Sequence, residues 1–81
     1  MKQLNKEEIN KNLVNTINQY KVLQYLKSNL NIYEFNLFLY DKDTIKVIDK
    51  ENKSAFFIYQ DNTKDIIFVE EINDKEQDFE M

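Results

Sequence analysis

The stretch from Ile32 to Tyr40, IYEFNLFLY, holds four of the chain's eleven aromatic residues. At strand periodicity it directs Tyr33, Phe35, Leu37 and Leu39 to one side, and Ile32, Glu34, Asn36, Phe38 and Tyr40 to the other. The first set reads as a core face. The second is half polar, yet it keeps two large aromatics, Phe38 and Tyr40, that a small domain has little material to cover.

Upstream of this stretch the period of the apolar positions is helical. Asn5 suits a helix N-cap, Glu8 three residues on completes a capping box, and Leu4 and Ile9 are spaced as a hydrophobic staple. Ile9, Leu13, Ile17 and Tyr20 form a stripe that Leu23, Leu26 and Leu30 continue with some drift, which a gentle bend near Tyr20 absorbs. Glu7 and Glu8 in the first turn and Lys27 in the last suit the helix dipole, and Asn29 or Asn31 can replace glycine as a left-handed C-terminal residue. The pattern predicts one long helix over about residues 6–29.

Downstream, four strand candidates are separated by short polar turns. With Asp41-Lys42-Asp43 as a hairpin loop, Leu39 faces Ile45 and Leu37 faces Val47. Asp49-Lys50-Glu51-Asn52-Lys53 leads into SAFFIYQ. Asp61-Asn62-Thr63-Lys64 then turns the chain into DIIFVEE, with Gln60 opposite Asp65 and Phe57 opposite Phe68. The expected fold class is α+β: one long N-terminal helix packed on a four-stranded antiparallel β-meander (αββββ). Residues 1–71 form a single domain in this reading, and residues 72–81 an acidic C-terminal tail.

The last two strand candidates are apolar on both sides, with Ala55, Phe57, Tyr59, Ile66 and Phe68 on one and Phe56, Ile58, Ile67 and Val69 on the other. A single helix covers one face of a four-stranded sheet. The opposite face, with Phe38, Tyr40 and Ile48, is left to a curling of the sheet over the C-terminal segment, to a second copy, or to a partner protein. The loop over 49–53 sets the register loosely, and a slip of one residue exchanges the roles of Phe56 and Phe57.

Composition and charge narrow the class further. A chain of 81 residues makes one small domain, and such a domain buries only about 60 % of the surface its unfolded chain exposes. Hydrophobic residues make up 42 % and charged residues 32 %, with no apolar run long enough to span a membrane, which predicts a soluble domain. The N-terminus lacks the apolar segment of a secretory signal and the chain has no cysteine, which points to the cytoplasm. Asn52-Lys53-Ser54 fits the glycosylation sequon, but nothing else accompanies it. Gly, Pro, Arg, Trp and His are absent and Ala55 is the only alanine, whereas residues with AT-rich codons are abundant. That bias suggests a low-GC bacterium or one of its phages. The net charge of −4 is local: residues 1–69 carry ten lysines and nine acids, and the last twelve residues carry six acids against one lysine.

Most chemistries lack their reagents. Nucleophilic and general acid-base catalysis usually draw on Cys or His, and neither is present. Carboxylate pairs such as Asp41 with Asp43 or Glu70 with Glu71 fall in turns or at a strand end, where they read as solvated surface charges. Asp41-x-Asp43 opens like a calcium loop, but Lys46 stands where glycine is required and Asn52 where the bidentate glutamate belongs. Zinc and iron-sulfur ligands are missing, and a phosphate-cradling loop cannot be built without glycine. No cofactor is expected. Aromatics on a sheet are how several modules stack single-stranded bases, but scattered lysines, absent arginine and a negative net charge disfavour nucleic acid.

What remains is a non-enzymatic binding module. The expectation is a small acidic protein, encoded by a phage or mobile element, that occupies a basic surface of a host nucleic-acid-handling or defence protein, as an anti-restriction or anti-CRISPR inhibitor does. Its partner-binding candidates are Phe38, Tyr40, Phe56 and Ile58 on the uncovered face, with Glu70, Glu71, Asp74, Glu76, Asp78 and Glu80 as the charge complement. The alternatives are a structural homodimer packed sheet face to sheet face, and a single-stranded nucleic-acid-binding domain.

Overall fold

Asn5 opens a helix as its position requires. In the computed structural model, which describes residues 1–71, Asn5 Oδ1 accepts the Glu8 N–H at 2.8 Å, and Glu8 Oε1 accepts the Asn5 N–H at 2.9 Å. The stapled residues Leu4 and Ile9 are both buried. The helix that follows is short: α1 spans Lys6–Asn10. It closes in a Schellman motif, with the Asn12 N–H on Ile9 O at 3.1 Å and the Leu13 N–H on Glu8 O at 2.9 Å. Asn12 takes the left-handed conformation (φ 58°), and its side-chain oxygen accepts from Gln24 Nε2 at 2.6 Å and Lys27 Nζ at 2.8 Å.

The single helix expected over residues 6–29 is therefore two helices. The second, α2 (Ile17–Asn29), starts at its own N-cap, Thr16, whose Oγ1 accepts the Gln19 N–H at 3.0 Å. Within α2 each three-residue step of the apolar stripe drifts by about 60°, which carries it from the exposed to the buried side. Of the expected core stripe, Ile9, Leu23 and Leu26 are buried and Leu30 is partly buried, whereas Leu13, Ile17 and Tyr20 are exposed, and Val22, which was not on that stripe, is buried. The C-terminus falls at Asn29 as expected, but its cap differs: Leu30 follows in extended backbone, and neither Asn29 nor Asn31 is left-handed.

The sheet has five strands where four were expected. Lys2–Leu4 form β1, which runs antiparallel to β2 (Asn36–Asp41) with Leu4 opposite Leu37 and Gln3 opposite Phe38. The meander continues through β3 (Thr44–Ile48), β4 (Ser54–Gln60) and β5 (Asp65–Glu70), and the spatial order is the chain order. The expected pairs are present: Leu37 with Val47, Leu39 with Ile45, Phe57 with Phe68, and Gln60 with Asp65. The aromatic stretch yields less strand than its alternation suggests. Ile32–Glu34 is a 3₁₀ turn that buries Ile32 and leaves Tyr33 exposed, and the strand begins only at Asn36.

The register between β3 and β4 decides which phenylalanine enters the core. Asp49 organises that loop: its Oδ1 accepts the N–H groups of Glu51 (2.8 Å) and Lys53 (3.0 Å), and its own N–H bonds Lys53 O at 3.0 Å. Asn52 supplies the left-handed residue (φ 67°). Ile48 then faces Ser54 and Ile45 faces Phe57, so Phe57 points toward α2 and Phe56 points away from it. Val22, Leu23 and Leu26 of α2 pack with Leu37, Leu39, Ile45, Val47, Phe57 and Tyr59, which places the core on one side of the sheet. Among the described residues no helix is long and apolar enough to cross a membrane.

Candidate functional site

The face of the sheet turned away from α2 is built from rows of cross-strand neighbours. One row runs Gln3, Phe38, Lys46, Phe56, Val69, and another places Thr44, Ile58 and Ile67 side by side. Phe38, Ile48, Phe56, Ile58 and Ile67 are half-buried, covered by sheet neighbours, and Tyr40 and Val69 are exposed. Among the described residues no element packs over them.

Tyr40 owes its position to a β-bulge. The register of β2 against β3 shifts between Leu39 and Asp41, and a bulge locally twists the strand and re-aims its side chain. The Tyr40 ring meets Phe56 at 4.8 Å between centroids with the planes tilted by 59°, a favourable edge-to-face-like geometry. On the other side of Phe56 the Lys46 ammonium lies 5.5 Å from its ring centre and 3.3 Å from Glu71 Oε1. The centre of the face is thus an aromatic pair and one lysine, and that lysine is paired to the first residue beyond β5.

Of the ten candidates read from the sequence, Phe38, Tyr40, Phe56 and Ile58 share this face, and Glu71 reaches it through Lys46. Glu70 does not. It stands opposite Ala55, on the α2 side, and lines a groove of about 200 Å³ with Leu30, Phe35, Phe57 and Phe68. Asp74, Glu76, Asp78 and Glu80 lie outside the described residues.

Gln3, Thr44, Lys46, Ile48, Ile67 and Val69 share the face and were not among those candidates. Ile67 and Val69 follow from the alternation of β5. Lys46 was legible as the residue opposite Phe38 once Leu39 was set against Ile45, but its ion pair with Glu71 depends on where β5 ends. Asn18 Nδ2 donates to Asp43 Oδ1 at 2.7 Å and to Asp61 Oδ1 at 3.3 Å, tying α2 to two turns of the sheet, and Thr16 Oγ1 donates to Lys42 O. No protein-family model, no curated protein and no solved structure matches this chain.

Proposed function

We propose that this chain is a small, acidic, non-enzymatic protein-binding module that docks the open sheet face on a partner whose apolar patch is bordered by basic residues. The observation that carries the reading is the junction at Lys46. The only lysine in the aromatic row is neutralised by Glu71, so the chain enters its acid-rich last residues beside the apolar face. An apolar centre with no net charge of its own, in a chain whose last residues are acid-rich, suits a basic surface, with the aromatics supplying affinity and the acids steering association. The same arrangement is a poor fit to nucleic acid, because among the described residues the one lysine in the aromatic row is already paired.

A basic surface of this kind is common on proteins that handle nucleic acids. With the AT-rich codon bias of the residues used, the reading extends to an inhibitor encoded by a phage or mobile element and directed at a host nucleic-acid-handling or defence protein.

The test is paired affinity capture from bacterial host extract with the wild-type chain and a Tyr40→Asp/Phe56→Asp variant, followed by titration of any captured protein against salt. The reading expects a basic partner held by the wild type, lost by the variant, and weakened as salt rises. An acidic partner, a partner held equally by both, or no protein that distinguishes them overturns it. A concentration-independent dimer that Phe56→Asp converts to monomer would replace it with self-packing of two sheet faces.

A further inference from the structure

The two edges of the sheet are unlike. β1 has three residues and begins at Lys2, the short, charged form that discourages edge-to-edge pairing. β5 has six, with Ile66, Ile67, Phe68 and Val69 unbroken between Asp65 and Glu70, and Phe68 is 59 % exposed. Among the described residues β5 pairs with β4 alone. Its free hydrogen-bonding groups can be assigned by alternation. Glu71 donates its N–H to Ser54 O at 2.9 Å. Asp65, Ile67 and Val69 therefore bond toward β4, while Ile66, Phe68 and Glu70 aim their N–H and C=O groups away from the sheet.

We propose that this edge pairs antiparallel with β5 of a second copy about a dyad at Ile67, joining the two sheets into one. Symmetry and charge select that register. Residues directly opposed in an antiparallel pair share a face, so the dyad must fall on a residue and both α2 helices lie on the same side. A dyad at Phe68 sets Asp65 against Glu71 of the second copy, which is repulsive. A dyad at Ile66 sets Ile67 against Asp65 and leaves Phe68 opposite Lys64. The dyad at Ile67 sets Asp65 against Val69 but also sets Ile66 against Phe68, giving the exposed ring an apolar neighbour in the second copy, and places Lys64, the left-handed turn residue (φ 60°) just before β5, next to Glu70 of the second copy at both ends. The edge and the open face are separate surfaces, so this inference does not rest on the docking reading above.

Sedimentation equilibrium of the full chain reports the mass, and cysteine substitution reports the register, since the native sequence has no cysteine to interfere. The expected species at high micromolar concentration has twice the 9.9 kDa mass of the chain. In an antiparallel pair two residues at a non-hydrogen-bonded dyad have Cα atoms about 4.5 Å apart, within disulfide range. Ile67→Cys should therefore cross-link on mild oxidation, whereas two copies of Val69→Cys fall roughly 13 Å apart and should not. Lys64→Glu or Glu70→Lys alone should weaken the dimer about tenfold, and the double swap should restore it. A chain that stays monomeric, equal cross-linking at both positions, or a swap that fails to restore association overturns the proposal.

Discussion

Phe56 and Phe57 are adjacent in sequence and serve opposite sides of the sheet: Phe56 lies 4.8 Å from Tyr40 on the open face, and Phe57 lies 6.2 Å from Tyr25 of α2. Their truncations should separate accordingly. Phe57→Ala removes a buried ring from the core and should destabilise by about 3–5 kcal/mol, whereas Phe56→Ala loses an aromatic pair on a half-covered surface and should cost about 1 kcal/mol. Thermal denaturation distinguishes them, since 1 kcal/mol moves the midpoint of a domain this size by roughly 4–8 °C. Comparable losses at both positions would mean that the open face is packed.

The phase of α2 gives a second contrast. Leu26 is fully buried and Ile17 is 74 % exposed, because a separation of about two and a half turns puts them on opposite faces of α2. Leu26→Ala should destabilise by about 2–5 kcal/mol, and Ile17→Ala should stay within about 0.5 kcal/mol of wild type. Urea midpoints suffice as the measurement. An Ile17→Ala loss of the same size as that of Leu26→Ala would mean that the first turn of α2 packs against the core.

That contrast also explains which parts of the fold were legible in the sequence. Strand pairing was readable because a period of two, combined with polar turns of defined length, leaves few registers, and Leu39 with Ile45 or Phe57 with Phe68 follow directly. The capping box at Asn5 was readable because it is local. The break between α1 and α2 carried an equally local signal, Thr16-x-x-Gln19, but the apolar residues on either side keep a near-helical spacing and read straight across it. What breaks the helix is Asn12, whose left-handed backbone is held by Gln24 and Lys27 from the next helix, contacts that sequence spacing does not reveal. β1 was missed because three residues beside a strong helix cap give no periodicity to detect. On the open face Phe38 was legible from parity within β2, whereas Phe56 and Ile58 also needed the β3–β4 register, and Tyr40 keeps its side through the bulge after Leu39. Glu70 could have been excluded by the same parity, being opposite Ala55, whereas Lys46 with Glu71 required three dimensions.

Gln19 supplies a third prediction, on a buried polar group that no apolar pattern points to. It is 2 % exposed. Its Nε2 donates to Asp41 O at 2.6 Å and its Oε1 accepts the Asn15 N–H at 2.9 Å, so one side chain ties the start of α2 to the β2–β3 hairpin. Gln19→Leu keeps most of the volume but strands both backbone groups, and should cost about 1–3 kcal/mol. Hydrogen exchange at Asn15 should accelerate along with the loss of stability. An unchanged Asn15 amide would mean that the bond contributes little.

The pH dependence of stability can be given a sign from groups that all lie at the surface. Glu8 is held below the usual carboxylate range, first by its bond to Lys2 and then by the Asn5 N–H. Glu34 is lowered by Lys50, and Asp43 by Asn18 and then Lys42. A carboxylate with a depressed pKa in the folded state binds its proton more readily when unfolded, so its contribution is complete above the unfolded value, about 4. It is lost as pH falls through the folded values. Lys42 and Lys50 are raised by Asp43 and Glu34 respectively, so theirs is present below the unfolded lysine value, about 10.4, and is lost as pH rises through the folded ones. The melting temperature should therefore be flat through neutral pH and fall on both sides. Glu8→Gln should shallow the acid limb while leaving the alkaline limb unchanged, and added salt should shallow both, because exposed pairs are screened. An acid limb as steep in Glu8→Gln as in the wild type would show that the Lys2–Glu8 bridge, 2.8 Å long, does not carry the linkage assigned to it.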